Sequence, residues 1–330
     1  MLTTTAKNDL IHSKNLLAFS AGGDSTALFF LLLEHDIPFD IAIVDYALRD
    51  QSKKEVAYAQ ELASRYNLDC HLHSAQKIDK NFEAEARKIR YDFFEELINK
   101  YHYETLLTAH HLGDRFEWML MQFCKGAGCI ELAGMQTKVK RNKYTLYRPL
   151  LHLDKQELLT YLHKNDISYF EDESNSDESY KRNIFRKQHT NPLLKEYLSG
   201  IKKSFSYIDE DVHELTHETE IKTMNDLAYF LTSSSKRSDI YTIDKYLKSL
   251  GHIITANERL YLKEHDTAVI GRKYIIAKIK EYIFIAPYRK AEKMSKAFKE
   301  KMRILKIDSK LRGYLASDAE AVALVSRLLQ

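Results

Sequence analysis

Cysteine is scarce. The 330 residues hold three, Cys70, Cys124 and Cys129, with no C-x-x-C pair and no metal-ligand spacing. A disulfide framework is therefore not expected, and a reducing cytoplasm is the expected compartment. No apolar run approaches the roughly 20 residues that a membrane helix requires, so no membrane partner is expected. The opening M-L-T-T-T-A-K-N-D-L lacks the charged-then-apolar order of a secretory signal. Four prolines and ten glycines leave few long irregular segments. Nor does one sign of charge prevail: 50 Lys and Arg stand against 47 Asp and Glu, a net +3. That balance neither demands nor excludes nucleic acid, because binding follows local patches rather than the total. No repeat of fixed period is visible.

What is present is the composition of a globular chain, 44% hydrophobic and 29% charged, long enough for a full core and two domains. Residues 16–20, 39–45, 70–74 and 105–109 read as strands. Residues 26–34, 53–66 and 82–100 read as helices, the second opened by Ser52-Lys53-Lys54-Glu55 in the form of a capping box. This alternation predicts an α/β domain with a parallel, doubly wound, Rossmann-like sheet. Such sheets bind ligands at the carboxyl ends of their strands. A further helix at 112–125 runs into Gly126-Ala127-Gly128, and another at 155–165 follows Pro149. Past about residue 190 helical patterns continue to about 262. Then come β-like runs at 268–270, 274–279 and 282–286 and a lysine-rich helix at 291–307. The expected domains are 1–190 and a smaller mixed helical and β unit, 191–330.

Between the first strand and the first helix lies Ser20-Ala21-Gly22-Gly23-Asp24-Ser25-Thr26. The glycines let backbone N–H groups approach an anion, Ser25 and Thr26 add hydroxyl donors, and the helix N-terminus adds its dipole. No lysine follows the glycines, so this is not a Walker A loop, and it is not G-x-G-x-x-G. Bare phosphate would be repelled by Asp24, which makes a bridging Mg²⁺ the natural inference. The bland alternative is a tight strand–helix turn with a capping serine.

Four further clusters follow. Val44-Asp45-Tyr46-Ala47-Leu48-Arg49 ends the second strand and means little alone. Glu83 and Arg87 share a helix face at i, i+4, either a solvated ion pair or an arginine that reaches a phosphate. Thr108-Ala109-His110-His111-Leu112-Gly113-Asp114-Arg115-Phe116-Glu117 places His110, Asp114 and Glu117 on one face if the helix begins near His110. Such a face suits a metal or acid–base work; the alternative is a capping histidine with solvated acids. Last, Asp172-Glu173-Ser174-Asn175-Ser176-Asp177 leads to Arg182, Asn183 and Arg186.

The loop resembles the S-G-G-x-D-S element of the ATP pyrophosphatase, or PP-loop, superfamily. In combination the clusters resemble the tRNA(Ile)-lysidine synthetase family, including Gly126-Ala127-Gly128 to Gly134-Met135 and Arg148-Pro149-Leu150-Leu151. The resemblance covers roughly 15–190. Departures are Ala21 for the first glycine, Tyr46 for histidine, Gly113 for the first acid of a D-D pair, and Trp118 for threonine.

The resemblance implies a PP-loop fold and an AMP-forming ligase using ATP and Mg²⁺. ATP contacts would come from Ser20, Ala21, Gly22, Gly23, Asp24, Ser25, Thr26 and Asp45, with Mg²⁺ on Asp24. It implies isoleucine tRNA with a CAU anticodon and free L-lysine as substrates. A wobble cytidine would be adenylated at its 2-carbonyl oxygen, then attacked by lysine to give lysidine, PPi and AMP. Arg87 would stabilise charge on phosphate, while His110, Asp114 and Glu117 are the candidates to take the lysine protons. Arg182 and Arg186 would bind the tRNA backbone, with basic segments 138–143 and 289–303. A homodimer is left open. So are a tRNA 2-thiolation enzyme of the same superfamily and a nucleotide-binding protein without catalysis.

Overall fold

The structure is a computed structural model that describes residues 1–46, 50–76, 78, 82–171, 181–215, 219–290 and 294–329, without the side chains of 50, 181, 182 and 215. The chain divides into two compact units, Met1–Glu210 and Asp211–Gln330.

In the first unit, α1 (Thr4–Leu10) precedes β1 (Asn15–Ala18), α2 (Gly23–Glu34), β2 (Phe39–Asp45), α3 (Asp50–Tyr66), β3 (Cys70–Ser74), α4 (Phe82–Tyr101) and β4 (Thr105–Leu107). Next come α5 (Leu112–Phe123), α6 (Cys129–Ala133), β5 (Lys138–Lys140), β6 (Thr145–Tyr147), α7 (Lys155–Lys164) and α8 (Lys181–Phe185). One π-helical turn, Arg186–Thr190, then joins α8 to α9 (Asn191–Leu215), which is kinked at Tyr197 just before Ser199-Gly200.

The sheet order is β3-β2-β1-β4-β6-β5. All pairings are parallel except β5 with β6. Helix α2 is apolar on nearly every side, since it is wedged between the sheet and α7, where Leu158 and Leu162 join its core. Strands β1 and β4 are neighbours, yet β1 leads to β2 on one side and β4 lies on the other. The order therefore reverses between them, and a doubly wound sheet opens its binding crevice at such a reversal. Both the Ser20 loop and the His110–His111 segment lie there, at the carboxyl ends of β1 and β4.

In the second unit β7 (Lys222–Met224), β8 (Leu227–Leu231), β9 (Thr267–Ile270), β10 (Tyr274–Ile279) and β11 (Tyr282–Pro287) form an antiparallel sheet. Alternation along β10 and β11 divides it into two faces. Ile276, Ile283 and Ile285 pack with α10 (Lys236–Ser249) and α11 (Ala256–Glu264). Ile275, Ala277, Phe284 and Ala286 pack with α12 (Lys296–Ile304), α13 (Ser309–Leu315) and α14 (Ala319–Leu328).

Several expectations are corrected. Unit one runs past 190 because Leu194 and Phe205 of α9 pack with Leu112 and Phe116 of α5. The Arg115 guanidinium adds a two-pronged ion pair with Asp209, 2.8 and 2.5 Å, and lies 4.3 Å from the Phe205 ring centroid. Helix α3 is already helical at Asp50, so Ser52 is inside it and cannot be its cap. The stretch expected to stay helical to 262 contains β7 and β8; of the expected helix at 291–307, residues 291–293 lie outside the described residues and Lys296–Ile304 is helical. An apolar run of five such as Leu227–Leu231 is too short for its period to separate strand from helix.

Candidate active site

Past β1, Ala21 takes φ 59°, the left-handed region that glycine prefers. The chain holds it there: the Phe170 N–H donates to the Ala21 carbonyl at 2.9 Å, and Gly22 bridges to Phe170. Gly22 caps α2 without a side-chain bond, leaving the first N–H groups of a twelve-residue helix open to an anion. Gly23 also serves packing, because a Cβ there would stand 3.3 Å from Leu159 and Tyr169. Ser20 is exposed. Ser25 and Thr26, expected as hydroxyl donors, are both buried. Ser25 donates to the Gly22 carbonyl at 3.1 Å and lies 3.1 Å from Ser20 Oγ, so it shapes the loop.

Asp24 stands in the first turn of α2. Its Oδ1 is buried with no hydrogen-bond partner, and its Oδ2 lies 3.8 Å from His111 Nε2. One carboxylate with a spare acceptor fits Mg²⁺, which typically takes one or two protein carboxylates and fills its shell with phosphate oxygens and water. Among the described residues no group of three or more His, Cys, Asp or Glu could hold a metal, so phosphate oxygens and water would supply the remaining ligands.

Helix α5 begins at Leu112 with His111, not His110, as its cap. The Gly113 N–H donates to His111 Nδ1 at 3.0 Å, and the His111 N–H donates to Asp114 at 3.1 Å, a reciprocal capping box. With Nδ1 accepting, His111 turns an Nε2–H toward Asp114, 3.6 Å away, and Asp24, 3.8 Å away. This arrangement requires the departure at 113, because a Cβ on Gly113 would stand 2.7 Å from His111 Cε1. The three-residue face expected for His110, Asp114 and Glu117 is realised only by the last two. His110 sits in the preceding loop, Nδ1 2.9 Å from Thr108 Oγ1.

Arg186 closes the cluster. Its Nε meets Glu117 at 2.5 Å and its Nη2 meets Asp114 at 2.8 Å. Glu117 is 1% exposed, and a carboxylate so deep requires a cation. Burial alone would raise the Asp114 carboxyl. The neighbouring His111, His110 and Arg186 charges and the His111 N–H outweigh it and hold Asp114 well below the usual carboxylate range. Arg186, expected on the tRNA backbone, is thus turned inward onto two carboxylates.

Asp45 ends β2, beside β1. Tyr46 donates to the Ala86 carbonyl at 2.9 Å, tying that strand end to α4. Arg87 is exposed, its guanidinium 4.8 Å from the Tyr91 ring centroid. No contact among the described residues joins it to Asp24, His111 or Asp114. The Arg182 side chain, Arg49 and the 172–177 motif lie outside the described residues.

Sequence reading missed His111. The available signal was a histidine followed two residues on by glycine and three on by aspartate, the spacing of a reciprocal cap with room for a ring.

The chain matches a family model described as a PP-loop domain over residues 2–193. It is 42% identical to the tRNA(Ile)-lysidine synthase of Helicobacter pylori across 94% of this chain and 91% of that one. To the enzyme of the same name from Campylobacter jejuni it is also 42% identical, across 92% of each chain. Among solved structures, the U34-tRNA thiolase of Methanococcus maripaludis aligns with a TM-score of 0.53 at 16% identity, covering 64% of this chain and 76% of that one. At that identity the likeness concerns the fold alone.

Proposed function

The chain belongs to the tRNA(Ile)-lysidine synthetase family of PP-loop proteins, and on that premise we propose that it ligates free L-lysine to C2 of the wobble cytidine of isoleucine tRNA bearing a CAU anticodon. The observation carrying this reading is the contact set Asp24–His111–Asp114, which joins the anion loop to a carboxylate cluster across the crevice.

ATP would place its pyrophosphate at the N-terminus of α2, against the Ser20 hydroxyl and the open N–H groups, with adenosine toward Asp45. Asp24 would hold Mg²⁺, which supplies charge neutralisation on the phosphates. The cytosine 2-carbonyl oxygen attacks the α-phosphorus and pyrophosphate leaves. The lysine ε-amine then attacks C2, and the C2–O bond breaks as AMP departs with that oxygen.

Lysine arrives as an ammonium and must shed one proton before attack and one after it. Asp114, held so far toward its ionised form, is a weak base and serves better to attract the ammonium. His111 has both nitrogens engaged, Nδ1 accepting from Gly113 and Nε2 directed at Asp24 and Asp114. We therefore assign proton acceptance to His110, an imidazole being the side chain that ordinarily titrates near neutral pH.

The test is nucleoside analysis of isoleucine tRNA after incubation with the protein, ATP and labelled lysine. Label in lysidine, dependent on ATP, is expected. Pyrophosphate release that ignores both tRNA and lysine would overturn the assignment in favour of plain nucleotide hydrolysis.

A further inference from the structure

Helix α5 carries Asp114 and Glu117 on one stripe, and the helical period continues that stripe to Trp118 and Met121. The two carboxylates are sunk, 14% and 1% exposed as side chains. One turn on from Asp114, Trp118 is 45% exposed. It is the chain's single tryptophan, and it stands where the family pattern has threonine.

The ring is seated on a glycine. Gly134 ends α6 at φ 66°, and a Cβ there would lie 2.7 Å from Trp118 Cδ1. The indole edge thus rests on a bare Cα, a fit that only glycine permits at both the φ and the spacing. An indole fixed along one edge and nearly half exposed is preorganised to receive a flat partner.

The neighbours decide what that partner is. Asp114 and Glu117, on the same stripe, are sunk and already paired with Arg186, so what the helix offers outward here is an apolar ring face, which suits a flat neutral base rather than a phosphate. Topology separates this wall from the one proposed for adenosine: Asp45 ends β2, on the far side of β1, whereas α5 follows β4. We propose that Trp118 is a stacking platform for an unpaired nucleobase of the RNA substrate, set beside the carboxylate cluster. This rests on the reading that the substrate is a tRNA, whose anticodon loop offers splayed bases to aromatic rings.

The experiment uses the tryptophan's own fluorescence. An anticodon stem-loop RNA titrated into the wild-type protein should quench Trp118 emission, while ATP with Mg²⁺ alone should leave it unchanged. Trp118→Ala should raise KM for tRNA by about tenfold or more, with kcat and the KM for ATP within about twofold, and Trp118→Phe should restore most of the loss. The proposal is overturned if RNA that binds, as judged by filter retention, causes no quench, or if ATP alone quenches as strongly. A wild-type KM for tRNA in a folded Trp118→Ala protein overturns it as well. Should the alanine variant fail to fold, the wild-type titration still decides. Absence of lysidine formation by the wild-type protein would instead sink the proposed function, and so the two failures are distinct.

Discussion

Ala21 shows how one residue can sit in a glycine's place without breaking the loop. An L-residue in the left-handed region costs about 1–2 kcal/mol. Against this, the Ala21 methyl is fully buried, worth about 0.8 kcal/mol, and alanine restricts the unfolded chain relative to glycine by about 0.4–1 kcal/mol. The terms nearly cancel. Ala21→Gly should therefore change stability by less than about 1 kcal/mol in chemical denaturation, although it restores the family residue. A gain of several kcal/mol would mean that strain dominates. Gly113 is the opposite case. Gly113→Ala drives a Cβ to 2.7 Å from His111 Cε1, so the ring must leave its cap and its place between Asp24 and Asp114. We expect a loss of about 1 kcal/mol for the cap and a fall of about tenfold or more in kcat, displacement near a reacting centre being costly. Because removing the ring removes the clash, Gly113→Ala should cost little further stability when added to His111→Ala. Additive losses would refute the steric explanation.

At the scale of elements, the PP-loop, β2 and the start of α5 were legible because each joins a strand end to a polar cluster within a few residues. What stayed hidden was contact between clusters distant in sequence. Arg186 reads as a surface base, yet a π-helical turn carries it onto Asp114 and Glu117, and local spacing cannot show a partner some seventy residues away. The short strands β5 to β8 were illegible for a different reason: three to five residues are too few for a period to assert itself. The N-terminal turn of α5 is testable through pH. The Asp114 carboxyl is depressed in the folded protein, so its stabilisation is present above the unfolded value near pH 4 and is lost as pH falls toward the folded one. Asp114→Asn should thus cost about 2 kcal/mol at neutral pH. In urea unfolding the gap from wild type should shrink steadily below about pH 4. A gap that widens on acidification would mean that burial governs Asp114 rather than its cationic neighbours.

On the scale of the molecule, charge is unevenly shared. Residues 211–330 hold 22 Lys and Arg against 16 Asp and Glu, whereas 1–210 hold 28 against 31. We propose that the C-terminal unit binds the tRNA body while ATP chemistry stays in the first. The packing of α9 decides where a fragment can end. A chain stopped at 190 lacks Leu194 and Phe205, which cover Leu112 and Phe116, and lacks Asp209, which pairs with the buried Arg115. Each lost apolar side chain removes about 1.5–3 kcal/mol. Stranding the arginine adds to that, though less than the roughly 3–5 kcal/mol of a fully buried pair, because Asp209 is 42% exposed. Together these approach the whole stability of an ordinary domain, about 5–15 kcal/mol. A 1–190 fragment should therefore melt far below one spanning 1–215, which should fold cooperatively and bind ATP. The longer fragment should lose most tRNA affinity, and in the full chain that affinity should fall linearly on a log–log plot against salt. Equal tRNA binding by a folded 1–215 fragment would place recognition in the first unit and leave the basic C-terminal unit without the role proposed for it.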